Sequence, residues 1–198
     1  MHPFTCASYN TFESLHIDHI GSLTPDEKGN THIVVMIDAF SLWVELFPTK
    51  TMGASEAISC VFQHFGRFGT PDVIHTDQGP AFRNELFSEL ARLSTVEHSF
   101  ATAYSKEENG IVERANHASP TCHAFDARVH DKWSFEQLPM VQRIMNTVEE
   151  TSTGVTSTEL ILNNSTRLSN RIGSWLRATN LVTPQWITGL HDNTPFSE

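Results

Sequence analysis

Three short runs rich in β-branched and aromatic residues precede the first stretch of helical spacing, and that order restricts the fold more than any other feature of the chain. Leu15 to Ile20 (LHIDHI) and Thr31 to Asp38 (THIVVMID) are strand-like, and Ser22 to Asn30 between them holds Pro25 and Gly29, a turn-forming composition. A hairpin is expected. Leu42 to Phe47 (LWVELF) alternates imperfectly and then meets Pro48, so a third strand that stops there extends the same sheet.

From Ala54 to Phe68 the pattern changes: Ala54, Ala57, Ile58, Val61, Phe62 and Phe65 recur at helical spacing, and Gly66 and Gly69 provide flexible positions for a C-terminal end. Val73 to Thr76 reads as a short strand, Glu85 to Leu93 as an amphipathic helix, and Val96 to Phe100 as a fifth strand. Ile111 to Val129 starts with helical spacing that Pro120 breaks or kinks. Ser134 with Gln137 has the form of a capping box for a helix carrying Leu138, Val141, Met145 and Val148. The order βββαβαβαα describes an α/β domain, a five-stranded mixed sheet flanked by helices.

The 198 residues, 39% hydrophobic and 18% charged, suffice for one substantial core and a tail. The expected divisions are an N-terminal extension over 1–12, the core over 13–163 and a polar tail over 164–198, docked by Trp175 and Trp186. No apolar run approaches the ~20 residues that cross a bilayer. Met1 to Asn10 lacks the regions of a signal peptide, and no Lys/Arg-rich localisation cluster is present, so nucleus or cytoplasm is expected, with no membrane partner. Cys6, Cys60 and Cys122 form no Cys-x-x-Cys pair and read as free thiols, and the 11 histidines are mostly scattered. Thirteen basic against 23 acidic residues give a formal charge of −10, which by itself argues against a nucleic-acid partner.

Three carboxylates stand where a fold of this order brings chain segments together: Asp18 within the first strand, Asp77 just after the fourth, and Glu113 at the start of a helix. Asp77 lies in GTPDVIHTDQGPAF, where Gly79 and Pro80 permit a sharp exit toward the next helix. Glu113 lies in AYSKEENGIVERAN, where Asn109-Gly110 is a turn signal that lets the glutamate approach the other acids. Between Asp77 and Glu113 there are 35 residues.

These residues resemble the catalytic core of retroviral and gypsy-like long-terminal-repeat retrotransposon integrases, whose acids follow the order Asp, Asp, thirty-five residues, Glu. Gly69, Pro71, Ile74, Thr76, Asp77, Gly79 and Phe82 match the wording around the second acid, and Tyr104, Asn109, Gly110, Glu113, Arg114 and Asn116 match that around the third. The strand HIDHIG and the following VVMIDAFSLWVELFP are similar to the opening strands, and STGVTSTELILNN to the stretch that closes such cores. The resemblance covers about Glu13 to Asn163 and implies an RNase H-like fold.

It also implies Asp18, Asp77 and Glu113 as catalytic residues and metal ligands. Converging carboxylates repel one another unless cations neutralise them, and hard Mg²⁺ or Mn²⁺ prefers oxygen donors. Two ions roughly 4 Å apart activate a water or a DNA 3′-hydroxyl and stabilise the leaving oxygen of a phosphodiester. The partners implied are DNA, as long-terminal-repeat ends and target, and further copies of the chain. Tyr104, Lys106, Asn109, Gly110, Arg114, Asn116 and His117 would lie along the DNA.

Some positions depart from the family's wording. Its Tyr-x-Pro-Gln-x-Asn-Gly loop has Lys106 and Glu107 in place of Pro and Gln, and His117 and Pro120 stand where basic residues commonly hold DNA. Two other readings therefore stand beside the polynucleotidyl transferase: an inactive integrase-derived module that binds nucleic acid or protein, and an RNase H-type nuclease. Asp38 is the nearest rival to Asp18, but at a strand end it reads as a turn residue. His16 and His75, each two residues before an acid, could hydrogen-bond a carboxylate or replace a ligand, whereas alternation turns His19 to the face opposite Asp18.

Overall fold

The first two β-branched runs pair as an antiparallel hairpin, β1 (Ser14–Ile20) and β2 (His32–Asp38), with Ile17 opposite Met36 and Asp18 opposite Val35. This is seen in a computed structural model that describes residues 10–100, 135–147, 149 and 154–163. The loop between the strands is organised by Asp26, whose carboxylate accepts from the backbone N–H groups of Lys28 and Asn30 and from the Asn30 amide, each at 2.8 Å.

β3 (Val44–Thr49) pairs antiparallel with β2, and it runs through Pro48 instead of stopping before it. The expectation fails because β3 is an edge of the sheet, where a proline's missing N–H need not face a neighbouring strand. Asp38 closes the β2–β3 turn: buried, it accepts from the Ser41 backbone N–H at 2.8 Å, the Ser41 hydroxyl at 2.6 Å and the Phe12 N–H at 2.8 Å. It is therefore the turn residue the sequence suggested, with its oxygens already committed.

α1 (Ala54–Phe68) spans the expected residues and ends at Gly69, whose positive φ of 87° lets its N–H return to the Phe65 carbonyl at 2.9 Å. β4 (Val73–Thr76), α2 (Glu85–Ser94) and β5 (Glu97–Phe100) follow. β4 joins β1 in parallel and β5 joins β4 in parallel, so the mixed sheet has the order β3-β2-β1-β4-β5. Parallel neighbours require a crossover, and α1 and α2 supply it.

One sheet face and the two helices make the core. Leu15, Ile17, Val34, Met36, Phe47 and Ile74 meet Ala57, Cys60 and Val61 of α1 and Phe87 and Leu90 of α2. Burial, and next the nearby Glu56 charge, push the Cys60 thiol up to about 12, so it behaves as a small core residue. Phe62, expected on the apolar face of α1, is 58% exposed; the position facing inward is His64, paired with the buried Glu45 of β3.

Asn84 caps α2: its side-chain oxygen accepts from the Phe87 N–H at 2.9 Å, while its amide donates to the carbonyls of Pro80 and Ala81 at 3.0 and 2.7 Å. Asn84→Ala removes all three bonds, and the cap alone is worth about 1 kcal/mol. The expected result is an unfolding free energy lowered by at least that amount, seen as a lower urea midpoint with an unchanged slope, and an unchanged midpoint would contradict it.

Two further helices are described, α3 (Leu138–Thr147) and α4 (Ser157–Leu162). Pro139 sits in the first turn of α3, where no helical donor is lost. α4 begins with a capping box, Thr156 and Glu159 bonding reciprocally, and the Thr158 hydroxyl donates to the Asn146 carbonyl at 2.6 Å. Chain contacts separate two units, Met1–Gln142 and Arg143–Glu198. No helix among the described residues is long and apolar enough to cross a membrane. The helix expected over 111–129 with its Pro120, the Ser134 cap, Cys6, Cys122 and the tail from 164 with Trp175 and Trp186 lie outside the described residues.

Candidate functional site

Strand pairing brings two of the three expected acids together. In the parallel β1–β4 pair, Ile17 lies opposite Thr76, so the next residue on each strand, Asp18 and Asp77, falls side by side at the C-terminal ends. Parallel strands place such ends at a crevice, the usual location of a site in open α/β sheets. Neither sequence segment alone contains this proximity; the register creates it.

Backbone amides orient both carboxylates. Asp18 Oδ1 accepts the His19 N–H at 2.7 Å, and Asp77 Oδ1 accepts the Gly79 N–H at 3.0 Å. Burial raises the Asp18 carboxyl above its ordinary range; the His19 N–H opposes this and the Asp77 charge adds to it. Ionisation of Asp18 is thus less favourable than that of an ordinary carboxyl.

Gly79 matters for space rather than for backbone angle. A Cβ there would lie 2.9 and 3.2 Å from the two Asp77 carboxylate oxygens, closer than ordinary packing permits. Downstream, Phe82 is buried edge-on to Phe87 at 5.5 Å, so the segment leaving Asp77 is nailed to the core before α2 begins. The sequence showed Gly79 as a loop residue permitting a sharp exit and Phe82 as motif wording; the Asp-x-Gly spacing was the available sign of a turn closing on its own carboxylate.

The histidines divide by face, as alternation requires. His19 turns away from Asp18 and packs against Phe82, ring centroids 4.9 Å apart, and burial holds its imidazolium below the ordinary range. His16 stays on the Asp18 side and stacks on His75 of β4, 4.6 Å between centroids and 18° between planes. Burial and then the neighbouring His75 lower His16 to about 4, which leaves it neutral near pH 7.

Among the described residues no group of three or more His, Cys, Asp or Glu side chains could hold a metal ion. The donors that do adjoin, two mutually repelling carboxylates with one already raised, fit two ligands of a hard divalent cation. Glu113, the expected third ligand, lies outside the described residues, as do Tyr104, Lys106, Asn109, Gly110, Arg114, Asn116 and His117.

The chain is similar to known integrase cores in sequence and fold. Residues 11–106 match the family model of the integrase core domain. The Pro-Pol polyprotein of feline foamy virus is 37% identical over 105 residues, 53% of this chain and 9% of that polyprotein. The Gag-Pol polyprotein of koala retrovirus is 39% identical over 93 residues, 46% of this chain and 6% of the polyprotein. The chain thus spans under a tenth of either polyprotein.

Among solved structures, the HTLV-2 integrase catalytic core domain in complex with magnesium, trimeric form, aligns with a TM-score of 0.59 at 21% identity, covering 78% of this chain and 99% of that one. The catalytic core domain of BIV integrase aligns with a TM-score of 0.54 at 21% identity, covering 77% and 95%. The five-stranded mixed sheet with its flanking helices therefore has the RNase H-like fold of integrase cores.

Proposed function

We propose that this chain, whose residues 11–106 match the integrase core domain model, is a metal-dependent polynucleotidyl transferase that cleaves and joins DNA phosphodiesters. One observation carries the reading: Asp18 and Asp77 are set side by side on parallel strands, with the Asp18 carboxyl raised by burial and by the neighbouring charge. Such a pair is unfavourable for stability and is retained readily only where its charge has use.

In this reading Asp18, Asp77 and Glu113 would hold Mg²⁺ or Mn²⁺. The ions supply Lewis acidity at the scissile phosphate and lower the pKa of the attacking water or 3′-hydroxyl. The chain's own part is orientation. The His19 and Gly79 amides fix the two carboxylates, and the rigid β1–β4 pair holds them in place before substrate arrives. The same reading takes Glu113 as the third ligand and assigns Tyr104, Lys106, Asn109, Gly110, Arg114, Asn116 and His117 to DNA contact. The HTLV-2 core solved with magnesium, in trimeric and dimeric forms, supports the choice of metal and assembly from several copies of the chain.

The test is strand transfer on long-terminal-repeat ends with Mg²⁺ or Mn²⁺, using Glu113→Gln as the control. Activity above that control supports the transferase, whereas equal signals favour a module that only binds nucleic acid or protein. Cleavage of an RNA–DNA hybrid without joining would favour the RNase H-type nuclease.

Gly79→Ala gives a second expected outcome. The added methyl forces the Asp77 carboxylate to turn while the core stays packed, and a displacement of about 1 Å at a reacting site can lower a rate on the order of 10²-fold. Activity should fall by that order with little change in thermal midpoint. Full activity in the variant would show that Asp77's present orientation is not the working one.

A further inference from the structure

The sheet surface beside the two acids is filled by a feature the metal site does not itself require. His16 and His75 are register partners on β1 and β4, and their rings stack at 4.6 Å with planes only 18° apart. Each lies two residues before an acid, and side chains two apart on a strand share a face. The result is two adjacent rows across the same pair of strands, imidazole beside imidazole and then carboxylate beside carboxylate. Both rings are half-buried, and neither row reaches the core on the opposite face, which Leu15, Ile17 and Ile74 occupy.

We propose that the His16–His75 stack is a positioning device for the metal site, a flat backstop that keeps Asp18 and Asp77 from folding back along their strands. The inference rests on the reading of Asp18 and Asp77 as metal ligands. Each carboxylate is held on one oxygen by a single backbone N–H, at 2.7 Å for Asp18 and 3.0 Å for Asp77, which leaves rotation about the Cα–Cβ bond to be limited by neighbours. Toward the N-terminal end of each strand, the next side chain on the same face is an imidazole stacked on a second ring. Two like-charged side chains with room behind them would rotate apart, and filling the room holds them together. The contribution is made before any metal binds, which is what preorganisation requires.

The role belongs to ring shape, so an aromatic replacement should preserve it and truncation should not. His16→Ala with His75→Ala in the full chain is expected to weaken Mn²⁺ binding about tenfold or more, the range known for groups that orient metal ligands. The paired His16→Phe and His75→Phe substitutions should restore affinity to within a few-fold of the unaltered chain on the same scale. Calorimetry gives the dissociation constants. The χ1 couplings of Asp18 and Asp77, measured by NMR with EDTA present, report rotamer averaging independently of metal, and averaging is expected only in the alanine pair.

Unchanged Mn²⁺ affinity and unchanged couplings in the alanine pair, with only a lower thermal midpoint, would reduce the stack to ordinary packing and overturn the proposal. Loss of affinity in both the alanine and phenylalanine pairs would also overturn it, since the imidazole nitrogens would then be what matters. If the alanine pair does not fold, the phenylalanine pair and each single alanine variant decide the same question by the same readings. Failure of the unaltered chain to bind Mn²⁺ is a separate result that removes the metal-site reading itself.

Discussion

Asp18→Asn is expected to raise the thermal midpoint of the metal-free protein and, in the same variant, to abolish metal-dependent strand transfer. Burial holds the Asp18 carboxyl above its ordinary range, and the adjacent Asp77 charge adds to the shift. For an acid raised in the folded state, the folded chain holds the proton more tightly than the unfolded chain does. The stability this gives is present at low pH and is lost as pH rises through the folded value. At neutral pH the ionised Asp18 is therefore a burden, and the amide removes it. The gain should be larger at pH 7 than at pH 4, and added Mn²⁺ should raise the midpoint of the unaltered chain more than that of the variant. On the activity side, the loss of a single preorganised electrostatic contact costs on the order of 10³-fold in rate, and the loss of a proposed metal-ligating carboxylate should cost no less. A variant that loses both stability and activity would mean that Asp18 is a structural residue.

His64→Leu is expected to destabilise the fold by roughly 1–3 kcal/mol, the cost of stripping a buried carboxylate of one hydrogen-bond partner. His64 Nδ1 lies 2.6 Å from Glu45 Oε2, and Arg67 reaches Glu45 Oε1 at 2.8 Å from a side chain that remains 46% exposed. The leucine leaves the buried Glu45 carboxylate with Arg67 as its remaining ionic partner. His64 Nε2 is itself buried without a hydrogen-bond partner among the described residues, beside the Phe12 and Phe68 rings, so the native arrangement already carries a polar debt. Adding Glu45→Met to His64→Leu should therefore recover most of the loss, because a well-packed apolar replacement of an ionic pair is often neutral. Urea unfolding of the single and double variants measures both effects. Equal destabilisation in the two would show that packing volume, not the stranded charge, sets the cost.

The elements that sequence reading located well are those whose signal is local. α1 repeats apolar residues at helical spacing between glycine neighbours and spans the expected Ala54–Phe68, and β4 is bounded by Pro71-Asp72 and by the Asp77 turn. β3 was cut short because a proline is disallowed only where its nitrogen faces another strand, and edge position is a property of the whole sheet. Glu45 and His64 were unreadable for the same reason: 19 residues apart, they form a buried pair only after β3 and α1 are packed. In α4, the Thr156 and Glu159 capping box was legible as T-x-x-E, but it was seen only as part of a closing stretch similar to other cores.

For the candidate site, the motif singled out Asp77 directly, whereas the proximity of Asp18 to it comes from the β1–β4 register. The same register supplied the His16–His75 stack, which no spacing in the sequence announces because its members are on strands separated by β2, β3 and α1. Gly79 was visible as a residue but not as a requirement for space.

Whether Asp18, Asp77 and Glu113 share one divalent-cation site is tested most directly by titrating the chain with Mn²⁺ and following loss of the free-ion paramagnetic signal. Asp18→Asn, Asp77→Asn and Glu113→Gln are titrated in parallel. One shared site predicts saturable binding in the unaltered chain and a marked loss of affinity in each of the three variants. Binding by Glu113→Gln as tight as that of the unaltered chain, or no saturable binding by the unaltered chain at all, would contradict it.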